Sequence, residues 1–88
     1  MSKEILSVHL PVDVNTMRKL STLKIGEEAI ILTIENEKIA PKLISMGVFP
    51  HARVRVIRRS YFDQLLYLSI GSLNIALSPQ EAAVIIIN

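Results

Sequence analysis

Apolar and polar positions alternate along several short stretches of the chain, and in one of them the period changes midway. In KLISMGVFPHARVRVI, residues 42–57, Leu43 and Met46 stand three apart with Ile44 beside them, as on the buried stripe of a short helix. From Ala52 onward one residue points in and the next points out. The spacing therefore predicts a helix in ENEKIAPKLISMG, with Pro41 in or near its first turn, where a missing N–H does least harm. It predicts a strand over residues 52–59, with Val54 and Val56 on one face and Arg53 and Arg55 on the other. Gly47 ends the helix, because the residue just beyond a helix commonly takes the left-handed conformation, and Pro50 prevents the helix from resuming.

The sharpest local signal is LLYLSIGSLNIAL, residues 65–77, where Gly71-Ser72 fits a two-residue type II′ hairpin turn. Counting outward from that turn sets Ile70 opposite Leu73, Leu68 opposite Ile75 and Leu66 opposite Leu77 on one apolar face. Ser69 with Asn74 and Tyr67 with Ala76 take the other face. AIILTI, residues 29–34, is apolar on both sides and is expected to be a buried central strand. Ser78 caps a single turn, SPQEA, and residues 83–87 end the chain as a strand. Before all of these, Asn15 or Thr16 caps one turn carrying Met17 and Leu20.

Residues 1–14 place Leu6, Val8, Leu10, Val12 and Val14 at alternating positions around Pro11, as an edge strand or an extended arm. The division expected is an extension over 1–14 and one domain over 15–88. An alternating arm can add to the sheet edge of a neighbouring copy, so a homo-oligomer built through it is an expectation. Five short strands hide their edges most readily by curling up. The predicted fold is mainly β: a small five-stranded SH3-like barrel, with one short helix between the first two strands and a helical turn before the last.

Composition narrows the function. The chain has 88 residues, half of them apolar, enough for one core and no second folding unit. Its apolar runs, such as residues 82–87, fall far short of the roughly 20 residues that span a bilayer. The first residues, MSKEILSVHLPVDV, lack the pattern of an export signal, and the expected location is the cytoplasm. With no cysteine there is no disulfide, thiolate metal site or cysteine nucleophile. The net charge of +2 does not by itself point to a polyanionic partner.

Catalytic patterns are not found: no nucleophile elbow, no phosphate-binding glycine loop and no pair of histidines at ligand spacing, so no enzyme is expected. His9 and His51 are far apart in sequence, and the expectation is of no metal and no cofactor. Arg53, Arg55, Arg58 and Arg59, followed by Tyr61 and Phe62, are the one concentration of positive charge beside aromatic rings, which gives the alternative reading of a nucleic-acid-binding barrel. Against it stands the plainer reading of an outward strand face and a loop. Val48, Phe49, Tyr61 and Phe62 are the apolar groups that would anchor a protein interface, unless they belong to the core.

The run from Leu20 to the end, through LSTLKIGEEAII, KLISMGVFP, VRVI and IALSPQEAAVIII, resembles the FeoA family of bacterial ferrous iron transport. The resemblance covers about four fifths of the chain. It implies a small cytoplasmic SH3-like protein that is not an enzyme and that binds the cytoplasmic part of FeoB, the ferrous iron permease. Leu43, Met46, Gly47, Val48 and Pro50 match the family's helix-and-corner surface, and with Phe49, Tyr61 and Phe62 they are the candidate partner-binding residues. Two departures stand out. Glycine usually follows the proline, where this chain has His51, and the loop at 60–64 reads SYFDQ instead of a glycine- and proline-rich segment. The same barrel ends iron-dependent repressors, whose barrel ligands align near Asn36 and Ile39. Ile39 cannot ligate, so metal binding is not carried over.

Overall fold

The computed structural model describes residues 17–88. The expectations for residues 1–14, the Asn15 or Thr16 cap and His9 lie outside them. Strand β1 (Arg18–Lys19) runs into a 3-10 turn (Leu20–Thr22). There follow β2 (Glu28–Ile34), helix α1 (Ala40–Ser45), β3 (Arg53–Arg59), β4 (Leu66–Ile70), β5 (Leu73–Leu77), helix α2 (Pro79–Ala83) and β6 (Ile85–Ile87). The six strands form one antiparallel sheet in the order β1-β6-β2-β3-β4-β5. The five expected strands are all present. The sixth, two-residue β1 extends the sheet beyond β6, and among the described residues no ladder joins β1 to β5. The fold is thus a small barrel-like sheet left unclosed at one seam.

The β4–β5 register matches the sequence count at all five positions. Gly71 at φ +60° supplies the first central residue of the turn, and Ser72 is not among the positive-φ residues, as a type II′ turn requires. Val54 and Val56 are buried while Arg53 and Arg55 face out. β2 departs from expectation. Ala29 and Ile31 are buried, but Ile30, Leu32 and Ile34 are half-buried and Thr33 is exposed, because only the concave face of β2 is covered.

The core fills that concave side. Leu20 and Leu23 come from the 3-10 turn and its exit, Leu43 from α1, Val54, Leu68 and Leu77 from the sheet, and Ile85 and Ile87 from β6, all fully buried. Full burial of one such side chain contributes about 1.5–3 kcal/mol. Of the two short helices, α2 packs on the 3-10 turn and the ends of β5 and β6. Ser78 Oγ accepts the Glu81 backbone N–H at 3.2 Å while the Glu81 carboxylate accepts the Ser78 N–H at 2.9 Å, a reciprocal cap with Pro79 in the first turn of α2. Lys42 of α1 reaches the same carboxylate at 2.8 Å. The Lys42 ammonium, with help from the Ser78 N–H, holds the Glu81 pKa below its ordinary value. One glutamate thereby caps one helix and ties it to the other.

Candidate functional site

The corner after α1 is built by backbone hydrogen bonding before any side chain is considered. Gly47, at φ +95°, donates its N–H to the Ile44 carbonyl at 3.0 Å, and Val48 donates to the Leu43 carbonyl at 2.9 Å. This pair of bonds is the Schellman arrangement, in which an apolar contact between the residue two beyond the cap and one in the last turn closes the motif. Here those residues are Val48 and Leu43, both fully buried. Leu43 and Val48, two of the candidate partner-binding residues, thus offer no surface in this conformation and hold the corner from inside. Met46 is half-buried against the core.

Phe49 emerges from that corner 46% exposed, with Pro50 exposed beside it. Across from it the β4–β5 turn brings up Leu73, which is 49% exposed. The approach is close: a Cβ placed on Gly47 would lie 2.8 Å from Leu73 Cδ1. A depression of about 310 Å³ lies between them, with Gly47, Phe49, Ala52, Ile70 and Leu73 on its walls and Arg53 at its rim. Leu73 was not legible as a surface residue, since pair counting sets it on the apolar face with Leu68 and Leu66. It escapes burial because it is the first residue of β5, at the end of a strand that has a neighbour on one side only. The signal in the sequence was its place directly after the Gly71-Ser72 turn.

Tyr61 and Phe62 are 94% and 101% exposed in the loop after β3. The structure does not bring them to the corner. Phe49 precedes β3 and Tyr61 follows it, so the seven-residue strand separates the two sites by about 20 Å at roughly 3.3 Å per residue. The candidate residues that keep exposed surface thus fall at two separate places, Phe49 and Pro50 at the corner and Tyr61 and Phe62 at the loop tip.

The arginine strand is largely occupied. Arg55 donates to Glu28 Oε2 through Nε at 3.1 Å and Nη2 at 2.8 Å, and Arg53 reaches Glu28 Oε1 at 3.4 Å. The Arg55 guanidinium foremost, and Arg53 after it, hold the Glu28 pKa below its ordinary value. Arg58 stacks over the Tyr67 ring at 4.2 Å. Arg59 turns inward, half-buried, and donates to the backbone carbonyls of Ser21 and Leu23. The cause is a bulge in β3, where two residues, Ile57 and Arg58, sit opposite Tyr67 and shift Arg59 onto the inner face beside Leu66. The adjacent apolar pair Val56-Ile57, breaking the alternation, was the sequence signal for it. Along β3, with Arg55 and Arg59 hydrogen-bonded, the guanidinium groups do not form a continuous unengaged row for a phosphate backbone.

His51 sits at φ +77°, in the left-handed region that favours glycine, with its N–H donated to the Ile31 carbonyl at 2.7 Å. Replacing His51 with glycine is expected to stabilise the domain by about 0.5–1 kcal/mol, the relief of a left-handed L-residue less the added freedom of the unfolded chain. Urea unfolding of the two proteins measures the difference. Asn36 is also committed: its Oδ1 accepts the backbone N–H groups of Lys38 at 2.9 Å and Ile39 at 3.1 Å, shaping the approach to α1. Among the described residues no group of three or more histidine, aspartate or glutamate side chains converges as a metal site. No helix among them is long and apolar enough to cross a membrane.

Residues 18–88 match the sequence model of the FeoA domain. No curated protein sequence matches the chain. Among solved structures, an iron uptake regulatory protein (FeoA) superposes with a TM-score of 0.73 at 23% identity, over 83% of this chain and 96% of that one. Iron(II) transport protein A of Clostridium thermocellum gives 0.75 at 29% identity, over 81% of this chain and 44% of the other. The FeoA of Stenotrophomonas maltophilia, described as a prokaryotic SH3 domain protein and complexed with zinc, gives 0.69 at 22% identity, over 81% and 89%.

Proposed function

The chain belongs to the FeoA family of small accessory proteins of ferrous iron transport, and from that premise we propose that it works in the cytoplasm by docking on the cytoplasmic part of the FeoB permease and modulates iron uptake. The observation that carries this reading is the meeting of Phe49 and Leu73, each about half exposed, across the glycine of the helix corner. Completing the burial of two half-exposed side chains of this size contributes about 1.5–3 kcal/mol, roughly ten- to hundredfold in Kd. That is a reason for two large apolar groups to stand in the open at a rigid corner. Binding, not catalysis, is the work such a surface does. The backbone bonds from Gly47 to Ile44 and from Val48 to Leu43 set the direction in which Phe49 leaves α1.

Retention on immobilised FeoB cytoplasmic portion tests the proposal. The unaltered protein is expected to be retained, and Phe49→Ser to lower its affinity by about tenfold, as the lost burial dictates. Absence of retention of the unaltered protein in every nucleotide state of FeoB would overturn it.

A further inference from the structure

The apolar depression carries a single charge, and that charge is unevenly spent. Arg53 is the one charged residue on its wall. The same Arg53, with Gly71, also borders a neighbouring polar hollow that holds Glu28, Arg55 and Ser69, so the two hollows share a side. Glu28 faces two guanidinium groups, which leaves an excess of one positive charge. It lies with Arg53. Arg55 gives Glu28 two bonds, at 2.8 and 3.1 Å, whereas Arg53 offers one nitrogen at 3.4 Å and keeps its side chain 70% exposed. A guanidinium has five N–H donors in a planar fork that matches a carboxylate, and Arg53 has most of them unspent. Strand β3 fixes where that fork stands, at the mouth of the Phe49–Leu73 depression.

We propose, resting on the docking reading above, that this face takes a protein segment in which a large apolar side chain stands beside a carboxylate. The apolar group fills the space between Phe49 and Leu73, and the neighbouring aspartate or glutamate pairs with Arg53. Glu28 and Arg55 pair directly across β2 and β3 and keep the local excess at one charge. One excess charge suits one carboxylate. A run of phosphates calls for a run of unpaired cations, and the Glu28 pairing leaves this face an excess of one, so a nucleic acid is not the occupant.

Two capped peptides, N-acetyl-Gly-Asp-Leu-Phe-amide and its Asn counterpart, are the probes, titrated into the ¹⁵N-labelled protein while the backbone amide signals are followed. The Asp peptide is expected to move the Phe49, Arg53 and Leu73 amides and to bind at least threefold more tightly than the Asn peptide. In Arg53→Gln, an exposed change that leaves the Glu28–Arg55 pair in place, that difference is expected to vanish. Equal affinities for the two peptides in the unaltered protein, or no movement of those amides with either, would overturn the inference. FeoB cytoplasmic portion separates this from the docking reading. If Phe49→Ser weakens its binding and Arg53→Gln leaves it unchanged, the carboxylate pairing falls and docking stands. If the peptides behave as expected while FeoB is not retained, the chemistry of the face stands and FeoB is not its partner.

Discussion

Replacing Gly47 with alanine is expected to destabilise the domain by about 1–2 kcal/mol, measured as a lower urea midpoint at unchanged slope. Two physical effects add. The left-handed backbone at φ +95° is disfavoured for any residue with a Cβ, by about 1–2 kcal/mol. The new Cβ would also lie 2.8 Å from Leu73 Cδ1, so Leu73 must swing away and give up contacts. The second effect also reaches the proposed docking surface, since Leu73 forms one wall of the depression. The sign is opposite at His51, where the reverse exchange relieves the same kind of backbone strain. Both variants can be read in one series of unfolding curves.

The second large effect is expected at Leu43. It is fully buried beneath the corner, and Leu43→Ala should lose about 2–5 kcal/mol through the departed apolar atoms and the cavity left behind. For a domain of this length that is a large share of the whole, since native stability runs at about 0.05–0.15 kcal/mol per residue. The variant also separates two roles. A residue with no exposed surface does not touch a partner, so the folded fraction of Leu43→Ala is expected to bind FeoB within about twofold of the unaltered protein at a temperature where it remains folded. A variant that keeps its stability yet loses binding would place Leu43 in the interface.

Parts of this architecture can be read from the residues alone, and the reason is local. The hairpin register follows from one glycine-serine turn and a period of two, and the α1 stop from Gly47 and Pro50. Likewise the Ser78 cap needs only Pro79 and Glu81 nearby. What escaped were consequences of the sheet as a whole. The bulge at Ile57–Arg58 is settled by how β3 and β4 bend together, and it sends Arg59 to the carbonyls of Ser21 and Leu23 instead of to solvent. Leu73 is half exposed because β5 is an outer strand, a matter of strand order that hydrophobic alternation does not encode. The site followed the same division. Phe49 was legible as an apolar group beside a corner, whereas the depression it shares with Leu73 and Arg53 joins residues that only the folded sheet brings together. The matched motif residues Leu43 and Val48 lie fully buried beneath the corner.

The most direct test of the central claim is the backbone amide spectrum of the ¹⁵N-labelled protein as FeoB cytoplasmic portion is added. The largest changes are predicted at Gly47, Phe49, Arg53, Gly71 and Leu73, the rim and walls of one depression, with the signals of Tyr61 to Gln64 left in place. Changes gathered at Tyr61 and Phe62, at the far end of β3, or no change at all, would contradict the account.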